Sequence, residues 1–260
     1  MTTLTEEALT AAVDLLQIPA LPVVLALEPH YETIAAARGA HEAALSALRV
    51  RGLVDEYGDV ATDIASALFT LAQPDRQLVA RSSGQSGIRR MCLARRGGNH
   101  ALAVRDGDDV DIREVWADGD PATLTRTLGA ALGRLPAADI PPFRAPAAEI
   151  GERLNTAAGS ADFTDVAYHF GAAGREAVDF GMVMSTCHTH TEIVCYGEDS
   201  TTTVGAVAVY DTDCGRILAA PDRSQADNRA WITFAPGSDQ RLGQAIAILI
   251  EALPGGRWMP

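Results

Sequence analysis

The stretch Val115-Trp116-Ala117-Asp118-Gly119-Asp120 opens a strand–turn–helix unit that recurs 118 residues later, as Thr233-Phe234-Ala235-Pro236-Gly237-Ser238. The large apolar residues after each copy keep the same offset: Leu124, Leu128, Leu132 and Leu135, then Leu242, Ile246, Ile250 and Leu253. Asp120 and Ser238 suit a helix N-cap, because a short side-chain oxygen accepts from free N–H groups of the first turn. The chain therefore consists of two related halves that share a core.

Apolar periodicity and turn residues predict the remaining elements. In the first half we expect a buried strand over 23–27, helices over 35–48 and from 59 or 62 to 74, strands over 77–81, 88–95, 101–104 and 110–116, and a closing helix over 121–135. In the second half we expect helices over 149–157, 166–173 and 238–253, with strands over 191–196, 202–210, 216–220 and 230–234.

The element order αα-ββββ-α, used twice, predicts an α+β fold. Its central antiparallel sheet would be flanked by helical bundles, with the two halves related by a pseudo-twofold axis. We expect one domain over 1–260, divided into an N-terminal half (1–136), a proline-rich connector (137–146) and a C-terminal half (147–260).

Composition excludes several classes of function. All 21 basic residues are arginine, so the chain has no lysine for a P-loop or a Schiff base. A formal net charge of -13 disfavours binding to nucleic acid. We expect no signal peptide and no membrane span, because the acidic N-terminus and the short apolar run over 15–27 fit neither. Four scattered cysteines favour a reduced, cytoplasmic compartment.

One cluster could carry chemistry, although the dinucleotide-binding, serine-hydrolase and zincin signatures are missing. In Cys187-His188-Thr189-His190 a strand would place both histidines on one face, within reach of one metal ion. The alternative is a polar strand start, with Cys187 and Cys195 as small buried side chains. We expect that the chain is not an enzyme and binds no cofactor. A metal-dependent enzyme at Cys187, His188 and His190 is the alternative, and a ligand-binding sensor in the cleft between the halves is another.

Arginines and aromatic residues give further expectations. Arg89-Arg90 and Arg95-Arg96 are interpreted as charge that keeps a strand edge from aggregating, the alternative being a docking site for an acidic partner. We expect three aromatic side chains in the core, and a fourth, Trp258, as an exposed anchor. The three are Trp116, Trp231 and Phe234.

Four segments near the C-terminus form one pattern, from Tyr210 to Pro221, from Trp231 to Asp239, from Arg241 to Ala247 and from Leu253 to Trp258. In these segments the chain resembles the EspG family of ESX (type VII) secretion-associated proteins of actinobacteria. The resemblance implies a cytosolic specificity chaperone that binds PE–PPE heterodimers at the tip of the PPE helical bundle before export. It also implies a central antiparallel sheet with two helical bundles in pseudo-twofold arrangement. A homodimer of the free chain stays open as an alternative.

The resemblance further implies partner contact on the central sheet, on the C-terminal helical bundle and on a loop between early strands. That loop would be 82–87, which is short in this chain. On the strand over 202–210, alternate residues share a face, so Val207 and Val209 would point to the same side. The candidate partner-binding residues are therefore Val207, Val209, Ser83, Gln85, Arg216 and Trp258.

Overall fold

The computed structural model describes residues 2–28, 31–198, 205–222 and 230–260, and in them one element order occurs twice. The N-terminal half contains β1 (Thr2–Thr5), α1 (Glu6–Leu15), α2 (Ile34–Val50), α3 (Thr62–Ala72), β2 (Arg76–Gly84), β3 (Gly87–Arg96), β4 (Asn99–Asp106), β5 (Asp109–Glu114) and α4 (Pro121–Leu132). The C-terminal half contains β6 (Phe143–Pro146), α5 (Ala147–Thr156), α6 (Ser160–His169), α7 (Arg175–Met184), β7 (Cys187–Tyr196), β8 (Ala206–Thr212), β9 (Gly215–Pro221), β10 (Trp231–Pro236) and α8 (Asp239–Glu251).

The ten strands form one antiparallel sheet in the order β1-β5-β4-β3-β2-β7-β8-β9-β10-β6. Equivalent strands of the two halves follow the same order from each edge to the centre: β1, β5, β4, β3 and β2 in one half, and β6, β10, β9, β8 and β7 in the other. The two halves meet where β2 pairs with β7. This arrangement confirms the predicted α+β fold with two halves in pseudo-twofold arrangement.

Helices cover the two faces of the sheet differently. Helices α1–α3 and α5–α7 pack on one face, here called the groove face, at opposite ends of the sheet. Helices α4 and α8 pack side by side on the other face, here called the helix-pair face. Strand β9 shows the alternation, because Ile217 and Ala219 pack with α5–α7 while Leu218 packs beneath α8.

The closing helices begin as the repeat predicts. Asp120 accepts a hydrogen bond from the Ala122 N–H (2.9 Å), and Ser238 accepts one from the Arg241 N–H (3.3 Å). Their apolar stripes are buried against the middle of the sheet, where Leu124 and Leu128 of α4 join the same core as α8. Removing apolar surface of this kind from water is the main stabilising contribution to such a fold.

Several predictions about elements are wrong. Residues 23–27 do not form a buried strand: Val23–Leu25 is a 3-10 helical turn, and Val23 is 94% exposed. A run of apolar residues does not by itself determine burial, and prolines precede this one. Strands β1 and β6 and helices α1 and α7 were not predicted, and β6 lies inside the expected connector. The start of the strand expected over 202–210 lies outside the described residues.

Two tryptophans also differ from expectation. Trp116, expected in the core, is 74% exposed, because β5 ends at Glu114 and leaves it beyond the strand. Trp258, expected as an exposed anchor, is 2% exposed. Its Nε1–H donates to His100 Nε2 across 2.9 Å, which ties the C-terminal segment to the N-terminal half. Phe234 is fully buried as predicted, and Trp231 is half-buried beneath Arg144.

Candidate binding groove

A groove of about 1020 Å³ lies on the groove face where the two halves of the sheet meet. Its floor alternates between polar and apolar side chains of the central strands β2 and β7. These are Gln77, Val79 and Arg81 on β2, and Glu192, Val194 and Tyr196 on β7. Alternation dictates this composition, because the neighbours Leu78, Ala80, Ile193 and Cys195 point to the helix-pair face and are buried there.

One wall of the groove comes from the N-terminal half. It is formed by the segment 20–24, which includes the exposed Val23, and by the end of α3 with the residues that follow it, 71–75. The wall therefore presents apolar side chains to solvent beside a partly charged floor. Such a mixed surface is typical of a site for another macromolecule.

A buried ion pair holds this wall in place. Arg105 of β4 pairs with Glu6 at the start of α1, and both side chains are about nine-tenths buried. Arg105 Nη1 also donates to the Leu25 carbonyl (2.8 Å), and the Glu28 N–H donates to Glu6 Oε1 (2.9 Å). The pair thus fixes the backbone on both sides of Ala26, which has a left-handed conformation (φ 48°).

On the C-terminal side, β8 continues the floor of the groove. Ala206, Ala208 and Tyr210 lie on the groove face and are exposed or half-buried, and α7 packs on this strand. The rings of His190 and Tyr210 stack with centroids 4.8 Å apart. Burial lowers the pKa of His190 and raises the pKa of Tyr210 to about 12. At neutral pH both rings are therefore uncharged, and this side of the groove is mainly apolar.

The predicted site residues fall into two groups. Ser83 and Gln85 are exposed around the hairpin between β2 and β3, and Ser83 lies opposite His190 in the pairing of β2 with β7. Val207 and Val209 are buried on the helix-pair face, in the core that α8 shares. The face of β8 that adjoins the groove is thus the alternate set, and the sequence could not say which of two apolar faces the helix would cover.

Arg216 and Trp258 also lie in the interior. The Arg216 side chain, 4% exposed, donates to Asp211 Oδ1 (2.6 Å) and to the Gly133 carbonyl (3.2 Å). Its backbone bonds to Pro136 and Ala138, so it ties the connector to β9. Gly237 approaches so closely that an added Cβ would overlap Arg216 Cγ. The contacts of this arginine in the structure thus hold the connector and β9 together, and a role in partner binding stays a prediction.

The Cys187–His190 segment does not assemble a metal site. The pairing of β7 with β8 is interrupted by a bulge at His188, which takes that residue out of the regular alternation. Cys187 Sγ donates to the Thr189 carbonyl (3.4 Å), and His190 stacks on Tyr210. Over the described ranges, no group of three or more His, Cys, Asp or Glu side chains is placed to hold a metal ion.

The arginine clusters are not edge charges, because β3 lies in the interior of the sheet. Arg89 pairs with Asp106, and Arg95 pairs with Asp75. Arg90 instead lines the groove together with Arg81 and Arg96. Arg81 and Glu192 were not among the predicted site residues. Their signal was the polar–apolar alternation along β2 and β7, which was visible but could not be assigned to a face.

A second depression, of about 1030 Å³, follows the contact between α4 and α8 on the helix-pair face. It is lined mainly by small residues such as Gly129, Gly243 and Ala247. None of the helices in the described part of the chain has the length and apolar character of a membrane-spanning segment.

Comparison with known proteins places this chain among a group of secretion-associated proteins. A family model described as the EspG family matches residues 5–247. The chain is 30% identical to the ESX-3 secretion-associated protein EspG3 of Mycobacterium tuberculosis, over 92% of this chain and 86% of that protein. It is 26% identical to the ESX-1 secretion-associated protein EspG1 of Mycobacterium marinum, over 98% of this chain and 89% of that protein.

The fold also has a similar solved structure. The type VII secretion system chaperone EspG5 of Mycobacterium tuberculosis, in complex with a PE25–PPE41 dimer, superposes with a TM-score of 0.78. The match has 18% sequence identity and covers 99% of this chain and 98% of that chain.

Proposed function

The chain belongs to the EspG family, and from that premise we propose that it is a chaperone of type VII (ESX) secretion. It binds the PPE subunit of a PE–PPE heterodimer, keeps the heterodimer soluble and directs it to its secretion system. It does so by binding, without catalysis, and it works in the cytosol. The relatives that carry this proposal are the secretion-associated proteins EspG1 and EspG3 and the chaperone EspG5.

The observation that supports this function best is the open groove at the centre of the sheet. Most of a ten-stranded sheet is covered by helices, yet Arg81, Glu192 and Ala206 are exposed on its central strands. A folded protein gains stability by burying apolar sheet surface, so a partly apolar strip left open at the centre is suited to a partner.

The proposed contact surface combines the groove with its borders. The floor supplies half-buried Val194, Tyr196 and Ala208, and the hairpin supplies Ser83 and Gln85. Helix α7, which packs on β8, adds the exposed side chains of Val178 (42%) and Met182 (53%). The tip of a helical bundle that presents apolar side chains would be shielded from self-association by such a surface.

Co-expression with a PE–PPE pair from the same genome tests this function. We expect a stable complex with one copy of each chain, measured by size-exclusion chromatography with light scattering. Ala208→Arg and Val194→Arg, which place a long charged side chain on the groove floor, should abolish the complex. Ala130→Arg is the matched control, because Ala130 is exposed on α4 at the opposite face.

Two results would contradict the proposal. One is the absence of a complex with every PE–PPE pair of that genome while the chain is folded. The other is a complex that forms equally well with the wild type and with both groove variants.

A further inference from the structure

Three arginines lie directly opposite one another on adjacent strands of the groove face. Arg81 of β2 is paired in register with Arg90 of β3, and Arg90 with Arg105 of β4. Like charges at directly opposed positions of an antiparallel pair destabilise a sheet. Each contact between neighbouring arginines of this row is therefore unfavourable.

Among the residues that the structure describes, an ion pair neutralises only one end of the row. Arg105 is paired with Glu6, as described above. Arg90 has just a long contact from Nη1 to the Val24 carbonyl (3.5 Å), and among the described residues neither Arg81 nor Arg90 has a carboxylate at ion-pair distance. Other arginines of this acidic chain do find carboxylates: Arg89, Arg95, Arg144, Arg153, Arg175 and Arg216.

Arg81 and Arg90 both face the groove. Arg81 is exposed and Arg90 is half-buried, and both line the cavity. Burial, together with the charges of Arg81 and Arg105, lowers the pKa of Arg90, while Glu28 opposes this effect. An arginine stays protonated in proteins, so the unfavourable interaction persists until an anion arrives.

We propose that Arg81 and Arg90 together bind an acidic side chain at the tip of the partner's helical bundle. The inference rests on the proposed function and specifies the partner that the groove accepts. A carboxylate fits because two guanidinium groups offer it several charge-assisted N–H donors, and such bonds are stronger than neutral ones. Binding also relieves the repulsion within the row, so the free protein is poised for an anion.

Glu192 makes the recognition selective. It lies opposite Arg81 in the pairing of β2 with β7, on the far side of Arg81 from Arg90, and it is exposed in the groove. Its negative charge weakens the attraction of the arginines for any incoming carboxylate. Only a carboxylate that approaches from the side of Arg90 therefore gains the full attraction of both arginines. Removing the charge of Glu192 should therefore tighten binding and relax the choice of partner.

The test measures affinity for the cognate PE–PPE heterodimer by titration calorimetry at low and high salt. Arg81→Gln with Arg90→Gln should weaken binding at least tenfold and flatten its salt dependence, because the charge-assisted bonds are lost. Arg126→Gln is the matched control, since Arg126 is an exposed arginine of α4 on the opposite face. Glu192→Gln should bind more tightly than the wild type.

Thermal unfolding of the free variants distinguishes recognition from a structural role. The double arginine variant should unfold at the same temperature as the wild type or higher, because repulsion is removed. A lower melting temperature together with weaker binding would overturn the proposal, since the arginines would then support the fold.

A charge swap identifies the residue on the partner. Each acidic residue at the tip of the PPE subunit is changed to Arg, and one of these variants should recover binding with Arg81→Glu. If the double arginine variant binds as tightly as the wild type at both salt concentrations, the role of the two arginines is overturned while the proposed function stands. A wild type that binds no PE–PPE pair would instead refute the proposed function.

Discussion

The two halves of the molecule share their order of elements but differ at an aligned position. Trp116 and Phe234 occupy the same place in the repeat, yet the first is 74% exposed and the second fully buried. Phe234 contacts Phe143 and Phe180, with ring centroids 5.2 Å and 5.7 Å away, in the core beneath α5–α7. The core beneath α1–α3 contains no Phe or Trp among its described buried residues and is built from aliphatic side chains.

The length of the strand explains the difference. Strand β10 pairs with β9 as far as Pro236, so Phe234 lies between β9 and β6 under helices. Strand β5 pairs with β4 only as far as Glu114, and Trp116 comes after its end. The two halves thus share one topology, while the burial of an aligned residue depends on how far its strand continues beneath the helices.

The largest expected effect concerns the two aligned aromatic residues, Trp116 and Phe234. Phe234→Ala should lower the free energy of unfolding by about 3–5 kcal/mol, because it removes a buried ring and leaves a cavity. Trp116→Ala should change it by less than about 0.5 kcal/mol, because the ring is mostly in water. Urea denaturation measures both. Similar losses in the two variants would contradict the assignment of one aromatic to the core and the other to the surface.

Each half also has its own buried ion pair, Glu6 with Arg105 and Asp211 with Arg216. Breaking either pair should lower the free energy of unfolding slightly less than Phe234→Ala does. Glu6→Gln and Asp211→Asn should each destabilise by about 3 kcal/mol, since the partner arginine is left buried without its counter-charge. Asp106→Asn is the control, because its pair with Arg89 is exposed and should be worth less than about 1 kcal/mol. If the control loses as much as the other two, burial is not what makes these pairs important.

The C-terminal segment joins the two halves, and its hydrogen bond can be tested separately. Trp258→Phe keeps an aromatic ring but leaves His100 Nε2 without its donor, which should cost about 1–2 kcal/mol. Trp116→Phe is a suitable control, because Trp116 is 74% exposed. In a double-mutant cycle, His100→Phe should abolish the specific cost of Trp258→Phe. Strict additivity of the two substitutions would show that the bond contributes nothing.

The smallest effect concerns pH, and it compares one histidine of each half. Burial lowers the pKa of His100 and of His190, with Arg95 adding to the effect at His100. The unfolded chain therefore binds protons more readily, and stability present above the usual histidine pKa of about 6.5 should be lost as pH falls below it. His100→Gln should make unfolding less dependent on pH between 7 and about 5. An unchanged dependence in this variant would contradict the role of His100.

Much of the fold could be predicted because its signals are local. The closing helices, their N-caps and the two four-stranded meanders follow from the spacing of apolar residues and turns within short windows. Strands β1 and β6 could not be predicted in this way. Each has only four residues, and each is a strand because a distant strand, β5 or β10, offers it hydrogen bonds.

The candidate site was predictable only in part. The hairpin with Ser83 and Gln85 was correctly placed at the surface, and the two faces of β8 were correctly separated by alternation. The sequence did not indicate which of those faces is covered, because Val207 and its neighbours Ala206 and Ala208 are all apolar. Helix α8 covers the valines, and that contact joins residues far apart in the chain.

The sequence by itself determined the duplication, the α+β class, the polar–apolar alternation of the central strands and the family resemblance. These properties depend on residue types at fixed spacings, which hold wherever the chain folds. Only the tertiary structure decided which sheet face stays open, that Trp258 is buried against His100, and that Arg81, Arg90 and Arg105 form one row. The physical reason is that sheet pairing and helix packing bring together residues whose separation in sequence says nothing about their distance in space.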